Sequence, residues 1–312
     1  MTALPAPATT PRRSPLHWLN NQPYLLLSLT SLFWAANIVL ARHVGSHVPP
    51  VTLTTIRWFG VFLILLPFAW PHLKRDWPKL RGALPLMLLL SAVGFAFNNA
   101  ISYWAMQYTE ALNALLIQSA GPLFVALWSL VILGVRLTLA QAFGVALSMC
   151  GVLIILLHGD LTTLSNIAFN KGDLIFIVAL LIFALYSVLS LKRPRIHGLS
   201  VAAFTFGCGA LFLVPFLIWE LGARPVMQLT TTNLLSLFYV AVFPSTLAYL
   251  CFNRGVQLIG ANRAAPFFHM VPVFGTVMSI VFIGEHPQAF HFIGFALVLA
   301  GVFAASRRPA AA

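Results

Sequence analysis

Gln118-Ser119-Ala120-Gly121-Pro122 lies in the middle of a long apolar run, and its reading decides the fold. The pattern returns as Phe268-His269-Met270-Val271-Pro272, which sets Pro122 and Pro272 150 positions apart. Each copy puts a polar residue three positions before a proline. Proline has no N–H, so in a continuous helix the carbonyls of Gln118 and Phe268 lose their donors and the ring presses on them. At membrane depth, free acceptors are tolerated only against protein or a wet cavity. One such proline is commonly a packing kink. Two in register, each with polar company, point to a central pathway and to hinges at Pro122 and Pro272.

Outward from this stretch the chain is apolar. Of 312 residues, 60% are hydrophobic and 8% charged, and the mean hydropathy is +0.92. Soluble domains carry about 25% charged residues, so this composition implies a polytopic membrane protein. The formal charge of +12 invites a nucleic-acid reading. The basic residues lie between apolar runs, so the membrane explains them instead, and lipid rather than nucleic acid is the expected large partner. Cys150, Cys208 and Cys251 all fall inside apolar runs, which is no disulfide framework.

Residues 1–23 read as a cytoplasmic tail. Apolar runs follow at 24–44, 51–70, 83–104, 111–133, 139–157, 172–191, 199–219, 233–253, 263–283 and 289–305. A helical span takes about 20 residues, so the expectation is an all-α protein of ten transmembrane helices. Alternate loops collect fourteen of the 18 Lys and Arg residues, among them Arg12, Lys74, Arg136, Lys192, Arg254 and Arg307. The other loops hold only Arg42, Lys171 and Arg224, and Arg57 lies within a span. The positive-inside bias puts both termini in the cytoplasm.

The repeat extends beyond the prolines. At the same offset Asn37 meets Ser187, Gln107 meets Gln257, Gly134 meets Gly284, Gly144 meets Gly294, and Gly151-Val152 meets Gly301-Val302. Residues 24–157 and 172–305 form two five-helix halves. Five is odd, so the halves have opposite orientations. Inverted repeats are a signature of secondary transporters, with substrate at the repeat interface.

The Tyr108-Thr109-x-Ala111 entry to the Pro122 helix, the Gly284-Glu285…Gln288…Gly294…Gly301-Val302 series and Arg57 early in the second span together resemble EamA-type members of the drug/metabolite transporter superfamily. The resemblance spans residues 24–305. It implies alternating-access export of small metabolites across a bacterial inner membrane, with aromatic and other amino acids as the cargo. Val135 departs from the pattern, since the first half has no acid where the second has Glu285.

The remaining chemistry is sparse. Asp76, Glu110, Asp160, Asp173, Glu220 and Glu285 lie at span ends or in loops, so no paired carboxylate and no nucleotide-binding loop suggests an enzyme. No metal or cofactor is expected. His269 is the one histidine read at depth; it is either a substrate or proton partner or a neutral histidine bonded to a carbonyl. With no carboxylate in mid-membrane, facilitated, gradient-driven efflux is favoured over tight antiport. Arg57 either pairs with a substrate carboxylate or snorkels to the interface. Gln118, Ser119 and His269 beside the prolines, Asn37 and Ser187 as repeat counterparts, and the rings of Tyr186 and Tyr249 are the candidate pathway residues. Carriage of a nucleotide sugar or drug, or a channel, remains open, as does the oligomeric state; a monomer is compatible. The glycines of the fifth and tenth spans read as close-packing surfaces.

Overall fold

In a computed structural model, residues 18–134, 139–159, 170–223, 227–259 and 264–306 are described. They are helical, with no strand among them. The helices are α1 (Pro23–Val44), α2 (Pro50–Gly82), α3 (Leu84–Ser91), α4 (Asn98–Ala105), α5 (Ala111–Gln118), α6 (Gly121–Leu133) and α7 (Leu139–Leu156). After them come α8 (Lys171–Leu189), α9 (Gly198–Ala223), α10 (Thr231–Ala241), α11 (Ala248–Ile259), α12 (Met270–Met278) and α13 (Ala289–Ser306). Widened π turns join α3 to α4 (Ala92–Phe97) and α10 to α11 (Val242–Leu247). Of the 1–23 tail only the last residues are described. Val135, Arg136, Asp160 and Arg224 lie outside the described residues, as do the terminal arginines.

Among the described residues six helices are long and apolar enough to cross a membrane, and a seventh results if α5 and α6, bent by 43°, count as one broken span. Ala142–Ile155, Phe267–Ile283 and Ala289–Gly301 are shorter apolar helices. The described part of every apolar run read from the sequence thus falls on helical segments, although three of these are too short to meet the length expected of a full span.

The same local features recur 150 residues on. The π turn Ala92–Phe97 corresponds to Val242–Leu247, and α7 corresponds to α13. Gly134 and Gly284 both end helices in the left-handed region, at φ of 64° and 76°, where only glycine lacks the Cβ clash. α7 and α13 pack along each other. A Cβ on Gly151 would lie 2.5 Å from the Gly294 carbonyl oxygen, so both positions need glycine for the backbones to approach. Ser148 Oγ donates to the carbonyl of Val298 at 2.9 Å, and these two are counterparts in the repeat. α2 and α9, also counterparts, pack along their lengths.

The prolines do not sit where a continuous-helix reading puts them. The chain breaks just before each. Ser119 and Ala120 close tight turns on Leu116 and Ile117, and Pro122 then falls in the first turn of α6. In the second half a 3₁₀ turn (Ala265–His269) precedes α12, and Pro272 is that helix's third residue. A first-turn N–H has no helical acceptor, so proline is tolerated there without losing a bond. The bend comes from the break, and the proline starts the new helix.

Candidate functional site

Arg57 is the seventh residue after the start of α2, about 10 Å along the helix. Its side chain is 6% exposed, so it does not snorkel. Nε donates to Ser245 Oγ at 2.6 Å, and Nη1 donates to Asn99 Oδ1 at 3.1 Å and to the Tyr103 hydroxyl at 2.6 Å. The Tyr103 hydroxyl donates onward to Asn37 Oδ1 at 2.8 Å. The guanidinium carbon lies 4.5 Å from the Trp58 ring centre. Every one of these partners is neutral. Among the described residues the only carboxylate–cation pair is Arg75–Asp76, far along the same helix. A buried charge normally has a counter-ion or a shifted protonation state, and arginine does not give up its proton.

The two π turns build this site. Pro244 removes a backbone donor inside the second turn, and the Ser245 hydroxyl supplies one to the Val240 carbonyl at 2.7 Å. The same Ser245 oxygen then accepts from Arg57. In the first half the Asn99 amide reaches the carbonyls of Gly94 and Phe95 in the π turn, and its oxygen faces Arg57. One guanidinium therefore rests against a widened turn from each half. π bulges of this kind recur at functional sites.

Beside the charge lies an aromatic wall. Trp58 stacks on Phe206 at 4.9 Å, and Phe95 meets both edge-on. Tyr249 packs on Phe206, and Tyr186 on Phe95. A side chain at Gly94 would run into the Tyr186 ring. Such ring pairs contribute about 0.5–1.5 kcal/mol each beyond area burial. Trp58 is 4% exposed, and its indole N–H is the one buried side-chain polar atom among the described residues with no hydrogen-bond partner. An orphaned buried donor costs about 1–3 kcal/mol.

The sequence candidates therefore separate. Arg57, Asn37, Tyr186 and Tyr249 join the cluster. Ser187 bonds its own helix at Phe183, and Ser119, buried, bonds back to Leu115. Gln118 and His269 are half-buried beside the two helix breaks; no hydrogen bond or ring contact among the described residues ties them to Arg57. Trp58, Asn99, Tyr103 and Ser245 complete the site. Of these, Trp58 reads from sequence only as one more apolar residue. His291, 4% exposed, is more deeply buried than His269 and stands near the start of its apolar run.

The carboxylates have a different task. Glu220, at the end of α9, accepts from the N–H groups of Val51 and Thr52 and from the Thr52 hydroxyl. Glu285 accepts from Ala111 and Leu112 N–H at 2.8 and 2.9 Å. Asp76 accepts from His197 N–H and the Ser200 hydroxyl at the start of α9. Each caps the N-terminus of a helix distant in sequence, where the exposed donors and the helix dipole favour an anion. In the loop before α9, the His197 ring stacks on His72 at 3.7 Å; burial first, and then the neighbouring imidazole, hold its pKa below the usual histidine value. No group of three His, Cys, Asp or Glu side chains suited to a metal occurs among the described residues.

Known proteins resemble this chain along almost its whole length. The uncharacterized transporter YyaM of Bacillus subtilis is 29% identical over 91% of this chain and 93% of its own. A probable terminal-alkyne amino-acid exporter of Streptantibioticus cattleyicolor is 26% identical over 90% of this chain and 92% of its own. One solved crystal structure superposes with a TM-score of 0.62 at 19% identity, covering 90% of this chain and 95% of the other, a likeness of fold alone. The EamA-like transporter family matches residues 21–157 and again 170–307. The chain belongs to the EamA-like transporter family and is a membrane transporter.

Proposed function

We propose that this transporter exports small carboxylate-bearing metabolites, amino acids foremost, from a site between its two halves. The observation that carries the reading is the buried Arg57 guanidinium with only neutral partners. A substrate carboxylate supplies the missing counter-ion, and the Trp58 indole N–H beside it finds an acceptor. Charge-assisted bonds of this type are roughly twice as strong as neutral ones. The flanking rings of Trp58, Phe95, Phe206, Tyr186 and Tyr249 suit an apolar or aromatic side chain. The exporter from Streptantibioticus, which handles an amino acid, and the resemblance to the bacterial amino-acid exporter YddG favour the same cargo.

In this reading ten spans form two inverted repeats, each of the short apolar helices and the bent α5–α6 pair counting as one crossing, with both termini in the cytoplasm of a bacterial cell and the protein in its inner membrane. The repeats alternate access by bending at the breaks before Pro122 and Pro272. Amino-acid counterflow into proteoliposomes tests it. The expected result is saturable uptake of labelled leucine or phenylalanine against preloaded unlabelled amino acid, lost on removal of the carboxylate from the competitor. Equal competition by decarboxylated amines overturns the Arg57 assignment. Flux without counterflow indicates a channel.

A further inference from the structure

Donors without acceptors continue from the Arg57 site toward one end of the molecule. There α8 finishes in a 3₁₀ turn, Ser190–Lys192, and Arg193 leaves it extended at φ −64° and ψ 151°, as a residue before proline does. Ile196 then packs on the cluster of Leu80, Met87, Leu90 and Val201 and pins the far side of the loop. Between these fixed points Arg193 and Arg195, with Ser190, Leu191, Pro194 and Ile196, line an open depression of about 650 Å³. Lys192, Arg193 and Arg195 are exposed, and residues 174–219 hold no carboxylate. Asp76, which reaches this loop, is already engaged by the His197 N–H, the Ser200 hydroxyl and Arg75. Among the described residues the Arg193 guanidinium has no hydrogen bond and no ion pair.

The charge of Arg193 acts inward. It is in electrostatic range of both Tyr186 and Tyr249, which are in range of each other. Tyr186 packs on Phe95 and Tyr249 on Phe206, the two rings that hold Trp58. Among the described residues the Tyr186 hydroxyl, like the Trp58 indole N–H, has no hydrogen-bond partner. Guanidinium, phenol and indole thus lead from the loop to Arg57, and none of the three has an acceptor within the described fold.

The opposite end lacks this row. Residues 40–46 are the repeat counterparts of 190–196, and Arg42, His43, Gly45 and Ser46 line a similar depression of about 550 Å³. Here the cations are taken up by the protein. Arg42 donates to the Met106 carbonyl at 3.1 Å, and the Lys171 ammonium lies over the Trp104 and Tyr108 rings.

We propose that Arg193 takes the substrate carboxylate at the mouth of the transporter and passes it, by way of the Tyr186 hydroxyl, to Trp58 and Arg57. This rests on the carboxylate cargo proposed above, and in the orientation proposed there the mouth faces the cytoplasm. The guanidinium fork matches a carboxylate with two parallel bonds. Because the group is exposed, the contact is weak, which suits a site that must hand its ligand on. The gradient still sets the direction of net flux. Arg193 raises the local concentration of carboxylates where the path begins.

Charge-selective labelling tests the mouth without a substrate. In the purified full-length chain Cys150, Cys208 and Cys251 are changed to Ser, and Tyr186→Cys is introduced. The rate with a sulfonate-bearing methanethiosulfonate is divided by the rate with a trimethylammonium-bearing one, and the quotient is normalised to that of an exposed Ser46→Cys. A unit charge acting through water over about 7–10 Å changes the two rates about two- to threefold in opposite senses. Arg193→Gln should therefore lower the quotient roughly fivefold, and Arg193→Lys should restore it. Ser190→Cys, a near-isosteric change in the same depression, gives the same comparison if Tyr186→Cys does not fold. A quotient unchanged by Arg193→Gln overturns the proposal, as does a thiol at 186 that neither reagent reaches, or a quotient that falls only with Arg195→Gln. Leucine counterflow in proteoliposomes supplies the transport arm. Arg193→Gln should lower Vmax/KM by up to about fivefold, and Tyr186→Phe, which keeps the ring and loses the donor, about threefold. Unchanged Vmax/KM in Arg193→Gln overturns the proposal. Charge selectivity without counterflow of any amino acid removes the cargo and leaves Arg193 as the anion-gathering mouth. Counterflow without charge selectivity leaves the cargo and removes the mouth.

Discussion

Charged side chains in the described fold are treated in two opposite ways. At the helix ends, Glu220, Glu285 and Asp76 each receive at least two N–H or O–H donors and cap a helix start. In the middle, Arg57 receives hydroxyls, an amide oxygen and a ring, and no anion. The acids are complete within the fold. The arginine is incomplete, and incompleteness at a buried charge is what a ligand can correct. The contrast separates groups that hold helices together from the group proposed above to meet a substrate carboxylate.

The contrast is broken most directly at Arg57. Arg57→Gln should leave folded protein in the membrane and lower amino-acid counterflow by roughly a hundredfold, the loss of a charged pair of about 2–3 kcal/mol. Equal losses of folded protein and flux, read by size-exclusion of tagged protein beside the assay, would make Arg57 structural. Trp58→Phe keeps the stacking on Phe206 but removes the unpaired N–H. It should raise KM for a carboxylate substrate by up to about tenfold, with little change in thermal midpoint; a stabilised variant with unchanged KM would place the indole outside the site. Pro122→Ala and Pro272→Ala should lower flux several-fold with KM nearly unchanged, because the breaks, and not binding contacts, are altered. The smallest effect on transport belongs to the acids. Glu220→Gln should lower thermal stability in detergent by about 1–2 kcal/mol, as for loss of a helix cap, and leave KM within error. A shift in KM as large as that of Trp58→Phe would erase the distinction between the two kinds of charge.

Much of the architecture can be read without coordinates. Helix positions follow from where apolar runs stop, and the close packing of α7 on α13 follows from glycines seven apart in each half. The charged centre was only half legible. Sequence places Arg57 along its helix, but it does not say which way the side chain turns or what meets it. Those facts depend on Ser245, 188 positions away, and on two π turns whose sequences, Ala-Val-Gly-Phe-Ala-Phe and Val-Phe-Pro-Ser-Thr-Leu, share no pattern. The acids were legible as span-end residues and illegible as caps, because Glu220 caps a helix start 168 residues earlier. The proline breaks were misplaced for a local reason: a proline four residues past a carbonyl looks the same inside a kinked helix and in the first turn of a new one.

The bond from Ser148 to Val298 has a consequence for assembly. A contact between equivalent positions of two like units is what lies near the two-fold of an isologous dimer. Here both units belong to one chain, yet the α7–α13 surface still has that self-complementary form. Cut between α7 and α8 and produced as two polypeptides, the halves carry on their own terminal helices the surface by which they recognise each other. Co-expressed, they should pair into one transporter without a linker, and a bulky residue at Gly151 should keep them apart.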